Sequence, residues 1–273
     1  MAEFITEFLE LFTYPFVIRA IFAGSLISIC AAILGVILVL KHYSLIGHGL
    51  SEIGFAALSV SSALGLPPFV ISTPVIILGS FIILYVSQKY KVAGDTAIAI
   101  ASSCALALGV LVTSFTGSSS NAYSWLFGSV LALNDFDVIF AIILSLTVII
   151  IFWVFYNRLF LISYSEEYAQ SLGIKTGIYH FMISVMTALV VVSGMRIMGT
   201  LLISSIIILP AVTARNISHS FFKLVINSAI ISFVCFITGL LTSFLFNIST
   251  GACIVLINAI LLLTVKITKV FKK

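Results

Sequence analysis

His48 and Glu52 stand four residues apart in LKHYSLIGHGLSEIGF, residues 40–55, and a helix beginning near Gly47 would place both on one face. An imidazole and a carboxylate one turn apart are half of a site for a first-row divalent ion, because Zn²⁺ or Mn²⁺ takes four or more nitrogen and oxygen ligands. One chain supplies too few. Two copies meeting on a two-fold axis would bring two His48 and two Glu52 together and complete the set. The alternative is a helix-start pair at a membrane boundary, hydrogen-bonded to itself. Three further ionisable places stand out. Asp95, in GDTAIAI at 94–100, precedes an apolar run and is placed to cap free backbone N–H groups. Arg196, in SGMRIMG at 193–199, lies between two apolar runs with Asp135, Asp137 or solvent as its partner. His180, near the inner end of another run, suits a hydrogen-bonded interfacial histidine better than a ligand.

The elements that must position these residues are membrane helices. Of 273 residues, 62% are hydrophobic and 8% charged, whereas soluble domains run near ~25% charged. The mean hydropathy is +1.30. A β-barrel is excluded because its spans alternate polar and apolar residues over short stretches. What remains is an all-α, polytopic membrane helix bundle forming a single transmembrane domain over 1–273. Requiring ~20 apolar residues per span gives nine segments: 16–40, 48–66, 69–87, 95–115, 136–157, 177–195, 197–214, 221–246 and 250–268. The second and seventh are short and rich in Gly, Ser and Ala, which lets backbones approach closely, so eight spans is the competing count. With nine spans and the N-terminus outside, Lys41, Lys89, Lys91, Arg158, Lys175, Arg215, Lys223, Lys266, Lys269, Lys272 and Lys273 fall on the cytoplasmic side, eleven of the thirteen basic residues. The C-terminus is then cytoplasmic, and 1–15, with Glu3, Glu7 and Glu10, is an outer amphipathic segment without the basic start of a cleaved signal.

Two connections are long. The outer one, 116–135, contains an amphiphilic stretch at 123–133. The inner one, 158–176, is the most polar part of the chain. Within it SEEYAQSLG sets Ser165 as N-cap, Glu166 and Glu167 in a first turn, and Gly173 as a C-terminal stop, which specifies a short helix.

Enzymatic chemistry finds no support. There is no GxxxxGK[ST] phosphate loop, HExxH or GxSxG, and no intramembrane aspartate pair or Ser/His couple. The scattered basic residues form no nucleic-acid patch. Cys30, Cys104, Cys235 and Cys253 sit singly in apolar runs, as packing residues do.

In its order of segments the chain resembles the membrane-spanning permease subunit of the manganese/zinc/iron class of ATP-binding-cassette importers, from about residue 16 to about residue 263. The matching stretches are SLIGHGLSE against the family's SLIGDALSH, GDTAIAI, WLFGSVLA, SYSEEYAQSLGI and GMRIMGTLLISSIIILPAVTAR. LPPF, ALALGVLV and GMRIMG look most like a zinc branch of low-GC Gram-positive bacteria. The resemblance implies a multi-pass protein of the bacterial plasma membrane that works as a homodimer with two cytoplasmic ATPase subunits and an external metal-binding protein. It implies no prosthetic group, the divalent metal passing as cargo. Ser165, Glu166, Glu167, Ala169, Leu172 and Gly173 would form the coupling helix seated on the ATPase, and Asp95, Arg196, Pro210 and Arg215 would be structural or gating positions. The family's Asp and His ligands fall on His48 and Glu52, so the ligand types are kept in inverted order. The rival readings are a permease for a siderophore or cobalamin chelate, a stand-alone secondary transporter, for which inverted repeats are missing, and a membrane assembly factor without cargo.

Overall fold

The computed structural model of the chain describes residues 15–66, 68–90, 94–116, 135–246 and 248–271; the segment 1–14 and the connection 117–134, read above as outer elements, lie outside the described residues. Among the described residues the chain is helical throughout, with no strand. Eleven helices lie among the described residues: α1 (Pro15–Leu40), α2 (Ile46–Ala63), α3 (Pro68–Tyr90), α4 (Gly94–Thr116), α5 (Asp135–Val154), α6 (Tyr156–Tyr164), α7 (Glu166–Ser171), α8 (Thr176–Met198), α9 (Thr200–Ile217), α10 (Phe221–Phe246) and α11 (Thr250–Phe271). Each of the nine expected spans falls on one of the long helices. Six of these, α1, α4, α8, α9, α10 and α11, are long and apolar enough to cross a membrane, and α5 with α6 makes a seventh as a broken span. α2 is less apolar because it carries Gly, Ser, His48 and Glu52.

α1 is hydrophobic all round, and a helix of that kind belongs in the centre of a bundle. Every side chain from residue 30 to 39 is buried, against α5, α8, α9 and α10. α9 and α10 are its main partners, and α9 in turn packs on α2, α10 and α11, while α2 is clasped between α3 and α4. In lipid, association rests on close backbone approach and hydrogen bonds rather than on the hydrophobic effect. Both are present. A Cβ on Gly35 of α1 would collide with the carbonyl oxygen of Ile207 on α9, so the two backbones touch there. Ser228 and Ser232 of α10 donate to the carbonyls of Ala32 (3.1 Å) and Ser28 (2.9 Å) on α1, and Ser80 of α3 donates to the carbonyl of Ser184 on α8 at 2.9 Å. Such bonds contribute about 0.6 kcal/mol each.

The Gly35 contact yields a stability prediction. Gly35→Ala forces α1 and α9 apart, and overpacking of this kind costs about 1–3 kcal/mol. Thermal unfolding of the purified protein in detergent, followed by tryptophan fluorescence, is expected to shift downward by several degrees. Gly177→Ala, where the added methyl meets nothing, is the control and leaves the midpoint in place. Equal midpoints for the two variants would refute the contact.

Three boundaries differ from expectation. The fifth span ends at Val154 rather than near 157, because the chain turns by 73° and continues as α6, which occupies the first half of the expected polar connection. Aromatic packing braces the bend: the Trp153 and Tyr156 rings stack at 5.7 Å, and Phe160 lies 4.9 Å from Phe221 at the start of α10. The break between the sixth and seventh spans falls at Gly199, whose φ of 84° suits glycine, and not at Arg196, which stays in the last turn of α8. The side chains of Arg196, Asp135 and Asp137, and so their expected pairing, lie outside the described residues. Asp95 does not precede α4 as its cap; it sits in that helix's first turn and its carboxylate accepts from the backbone N–H of Leu45 at 3.2 Å, at the start of α2.

Candidate functional site

α2 begins after a tight turn, residues 41–45, in which His42 takes a left-handed conformation with φ of 60°. Tyr43 is buried against Gly94, and Asp95 holds the Leu45 N–H, so the turn is fastened to the start of α4. The helix then proceeds from Ile46 without interruption, which puts His48 and Glu52 on one face as their spacing requires. Nε2 of His48 lies 3.1 Å from Oε1 of Glu52. The His48 side chain is 57% exposed and that of Glu52 17%.

The pair lines a cavity of about 400 Å³ between α2, α4 and α9, with Phe55 and Leu106 forming its apolar wall and Thr200, Ser204 and Ser205 its polar one. Ser51, one residue before Glu52, also borders it but donates its hydroxyl to the carbonyl of Gly47. The position of α9 follows from its own sequence: Gly199 ends α8, Thr200 opens α9, and Ile207 packs on both Gly35 and Gly47. Buried Pro210 lies within α9 and Arg215 in its exposed last turn, where a cation complements the helix dipole. Chemically the cavity offers one imidazole, one carboxylate and several hydroxyls. Among the described residues no three of His, Cys, Asp and Glu gather closely enough to hold a metal ion.

A second polar constellation lies at the end of the bundle occupied by α7. This helix is capped at both ends. The Ser165 side chain accepts from the N–H of Tyr168 at 3.3 Å. At the other end Gly173, with φ of 77°, donates to the carbonyl of Gln170 at 2.9 Å and Ile174 to that of Ala169 at 3.1 Å, a Schellman closure. Ala169 is fully buried and anchors α7 on the bundle, whereas Tyr168 and Leu172 project outward, each more than half exposed. Glu166 reaches back into the bundle. Its Oε1 lies 2.8 Å from Nε2 of His180 on α8, and its Oε2 lies 3.7 Å from Nζ of Lys41, the residue after α1. Nζ of Lys41 lies 3.0 Å from Nδ1 of His180. These distances suit a neutral imidazole that donates from Nε2 to the carboxylate and accepts the ammonium at Nδ1. Burial lowers Lys41 to about 8, against which Glu166 holds the cation. Partial burial pushes Glu166 up, but its hydrogen bond to His180 and the nearby Lys41 cation outweigh this and keep it below the usual carboxylate range. Beside this end, a basic cavity of about 550 Å³ is bordered by Arg158, Lys175 and Tyr179, with the Arg158 guanidinium donating to the Tyr179 hydroxyl. The sequence hides this cluster, because Lys41 stands 139 residues from His180, and His180 14 residues from Glu166.

With this geometry in view, comparison with known proteins decides the family. Residues 13–269 match the ABC 3 transport family. The chain belongs to that family. Among relatives of this ABC 3 permease, the manganese import system permease protein ScaB of Streptococcus parasanguinis is 33% identical over 260 residues, covering 95% of this chain and 93% of the relative. The manganese transport system membrane protein MntC of Listeria monocytogenes is 30% identical over 255 residues, covering 93% and 91%. Among solved structures, PsaBC from Streptococcus pneumoniae in complex with Fab superposes with a TM-score of 0.83 at 30% identity, covering 97% of this chain and 94% of that one. The family likeness carried by SLIGHGLSE, GDTAIAI and the 194–215 stretch therefore extends over nearly the whole ABC 3 permease, a multi-pass protein of the bacterial plasma membrane.

Proposed function

We propose that the chain is the metal-conducting subunit of an ATP-driven manganese importer, in which two copies meet so that both His48–Glu52 pairs face one axis. The observation that carries this reading is the exposed His48 paired with Glu52 on the wall of an open cavity, a half-set of ligands that a second copy would complete. Manganese leads over the zinc suggested by LPPF and GMRIMG because the relatives cited above are named for manganese. Two imidazoles and two carboxylates, the latter able to bind through both oxygens, suit Mn²⁺ as well as Zn²⁺. Hydrolysis of ATP takes place in a separate pair of ATPase subunits seated on α7, and an external binding protein delivers the ion; no prosthetic group is required. The nine-span topology with the N-terminus outside and the C-terminus in the cytoplasm is part of the proposal, supported by the distribution of Lys and Arg.

The test is transport by the whole complex in vesicles. ATP-dependent accumulation of ⁵⁴Mn²⁺, reduced more by unlabelled Mn²⁺ than by equimolar Zn²⁺, is the expected result. Accumulation of a metal chelate in preference to the free ion would transfer the assignment to a chelate permease.

A further inference from the structure

We propose that the Lys41–Glu166–His180 cluster is the mechanical link that carries displacement of α7 to the turn starting α2, and so to His48 and Glu52. The inference rests on the reading above, in which α7 meets the ATPase and α2 carries the ion.

Three features of the structure carry it. α7 is too short to hold its orientation by itself, and it is rigid because both ends are capped. Its connection to the bundle runs through buried Ala169 and through Glu166, whose two carboxylate oxygens engage separate helices' residues, His180 on α8 and Lys41 at the end of α1. The Lys41 side chain is 8% and that of His180 7% exposed, while Glu166, 38% exposed, reaches them from the rim, so the contacts are enclosed on the bundle side. Lys41 is also the first residue of the turn that leads into α2, and His48 follows seven positions later. That turn has little freedom of its own, with His42 left-handed, Tyr43 buried on Gly94 and Leu45 held by Asp95. A shift of Glu166 therefore meets a stiff segment at Lys41, and the stiff segment ends at the helix bearing the ligands. His180 supplies the second arm, since its helix ends at Gly199, immediately before the Thr200 and Ser204 wall of the same cavity.

The experiment measures Mn²⁺ accumulated per ATP hydrolysed by the complex in vesicles. Lys41→Met leaves the Glu166 carboxylate without its cation and is expected to lower this ratio about tenfold or more. Lys41→Met combined with Glu166→Gln removes both charges, so no buried charge is left unpaired; it is expected to restore the yield of the complex to the parental level while the ratio stays low. Lys41→Arg keeps the cation and is expected to recover most of the ratio. A parental ratio in the double variant would show that the cluster serves folding alone and would overturn the link.

A second measurement needs no cargo. With the exposed Cys104 changed to Ser, a Leu45→Cys thiol at the exposed end of the turn reports on its movement through its rate of reaction with a maleimide. The rate in the parental complex is expected to change about threefold or more between nucleotide-free and ATP-bound states, and to stay constant in the double variant. An identical nucleotide response in the two would overturn the proposal. Failure of the parental complex to move Mn²⁺, with the thiol response still lost in the double variant, would instead retire the functional reading and leave the link standing.

Discussion

Alanine at His48 or at Glu52 is expected to abolish uptake of Mn²⁺ into vesicles, a fall on the order of 100-fold or more, since removing even a supporting partner of a ligand costs 10–100-fold in metal affinity. The argument is one of number. With one imidazole and one carboxylate per chain, a symmetric pair of chains offers four ligands, and either substitution removes two of them at once. Neither residue stabilises the bundle through burial of its partner: His48 is largely exposed, and the hydrogen bond between them is a one-turn contact on a helix already held by Gly49, Leu50 and Phe55. Membrane yield and copy-to-copy association are therefore expected to be unchanged. Exchanging the two residues, His48→Asp with Glu52→His, keeps the ligand types in the opposite order and is expected to retain uptake. Parental uptake by both alanine variants would reduce the pair to a helix-start hydrogen bond.

Much of this arrangement was legible in the sequence. Apolar runs separated by charge and glycine place the long helices, because a chain in lipid must satisfy its backbone within each segment. The one-turn spacing of His48 and Glu52 and the two caps of α7 could also be read, since each depends on residues no more than six apart. What could not be read depends on distance along the chain or on the absence of a punctuating residue. The bend after Val154 has no proline or glycine; it is held by Tyr156 and Phe160 packing on Phe221 and Phe222 of α10, more than sixty residues later. Arg196 read as a boundary because charge usually marks one, yet the helix runs on to Met198 and stops where Gly199 takes a positive φ. Asp95 carried the signal of a cap, and it caps a different helix. His180 read as a satisfied interfacial residue, but its partners Lys41 and Glu166 come from two other segments that only the folded bundle assembles.

Replacing 165–173 by a flexible Gly/Ser linker is expected to eliminate recovery of the ATPase with the permease, while the permease still inserts into the membrane. Two outward side chains, Tyr168 and Leu172, are lost, and a tyrosine that anchors an interface contributes about 2 kcal/mol or more. The linker also discards Glu166, hence the tie to Lys41 and His180 that holds the segment in place. α6 and the basic border of Arg158 and Lys175 are left intact, so any surviving association would have to come from them. Affinity purification through a tag on the permease, followed by quantitation of the ATPase, provides the measurement. Equal recovery from the linker variant would move the docking surface away from α7.

The caps at the two ends of α7 have a thermodynamic consequence for assembly. Ordering a residue's backbone costs about 1–2 kcal/mol, and a tract that folded only on meeting its partner would lose that amount for each residue it fixed. Here the Ser165 cap, the Gly173 closure and the burial of Ala169 have already fixed the tract in the isolated chain. In the proposed assembly, docking on α7 would then join preformed surfaces, with a heat-capacity change set by the area they cover and no contribution from folding of this tract.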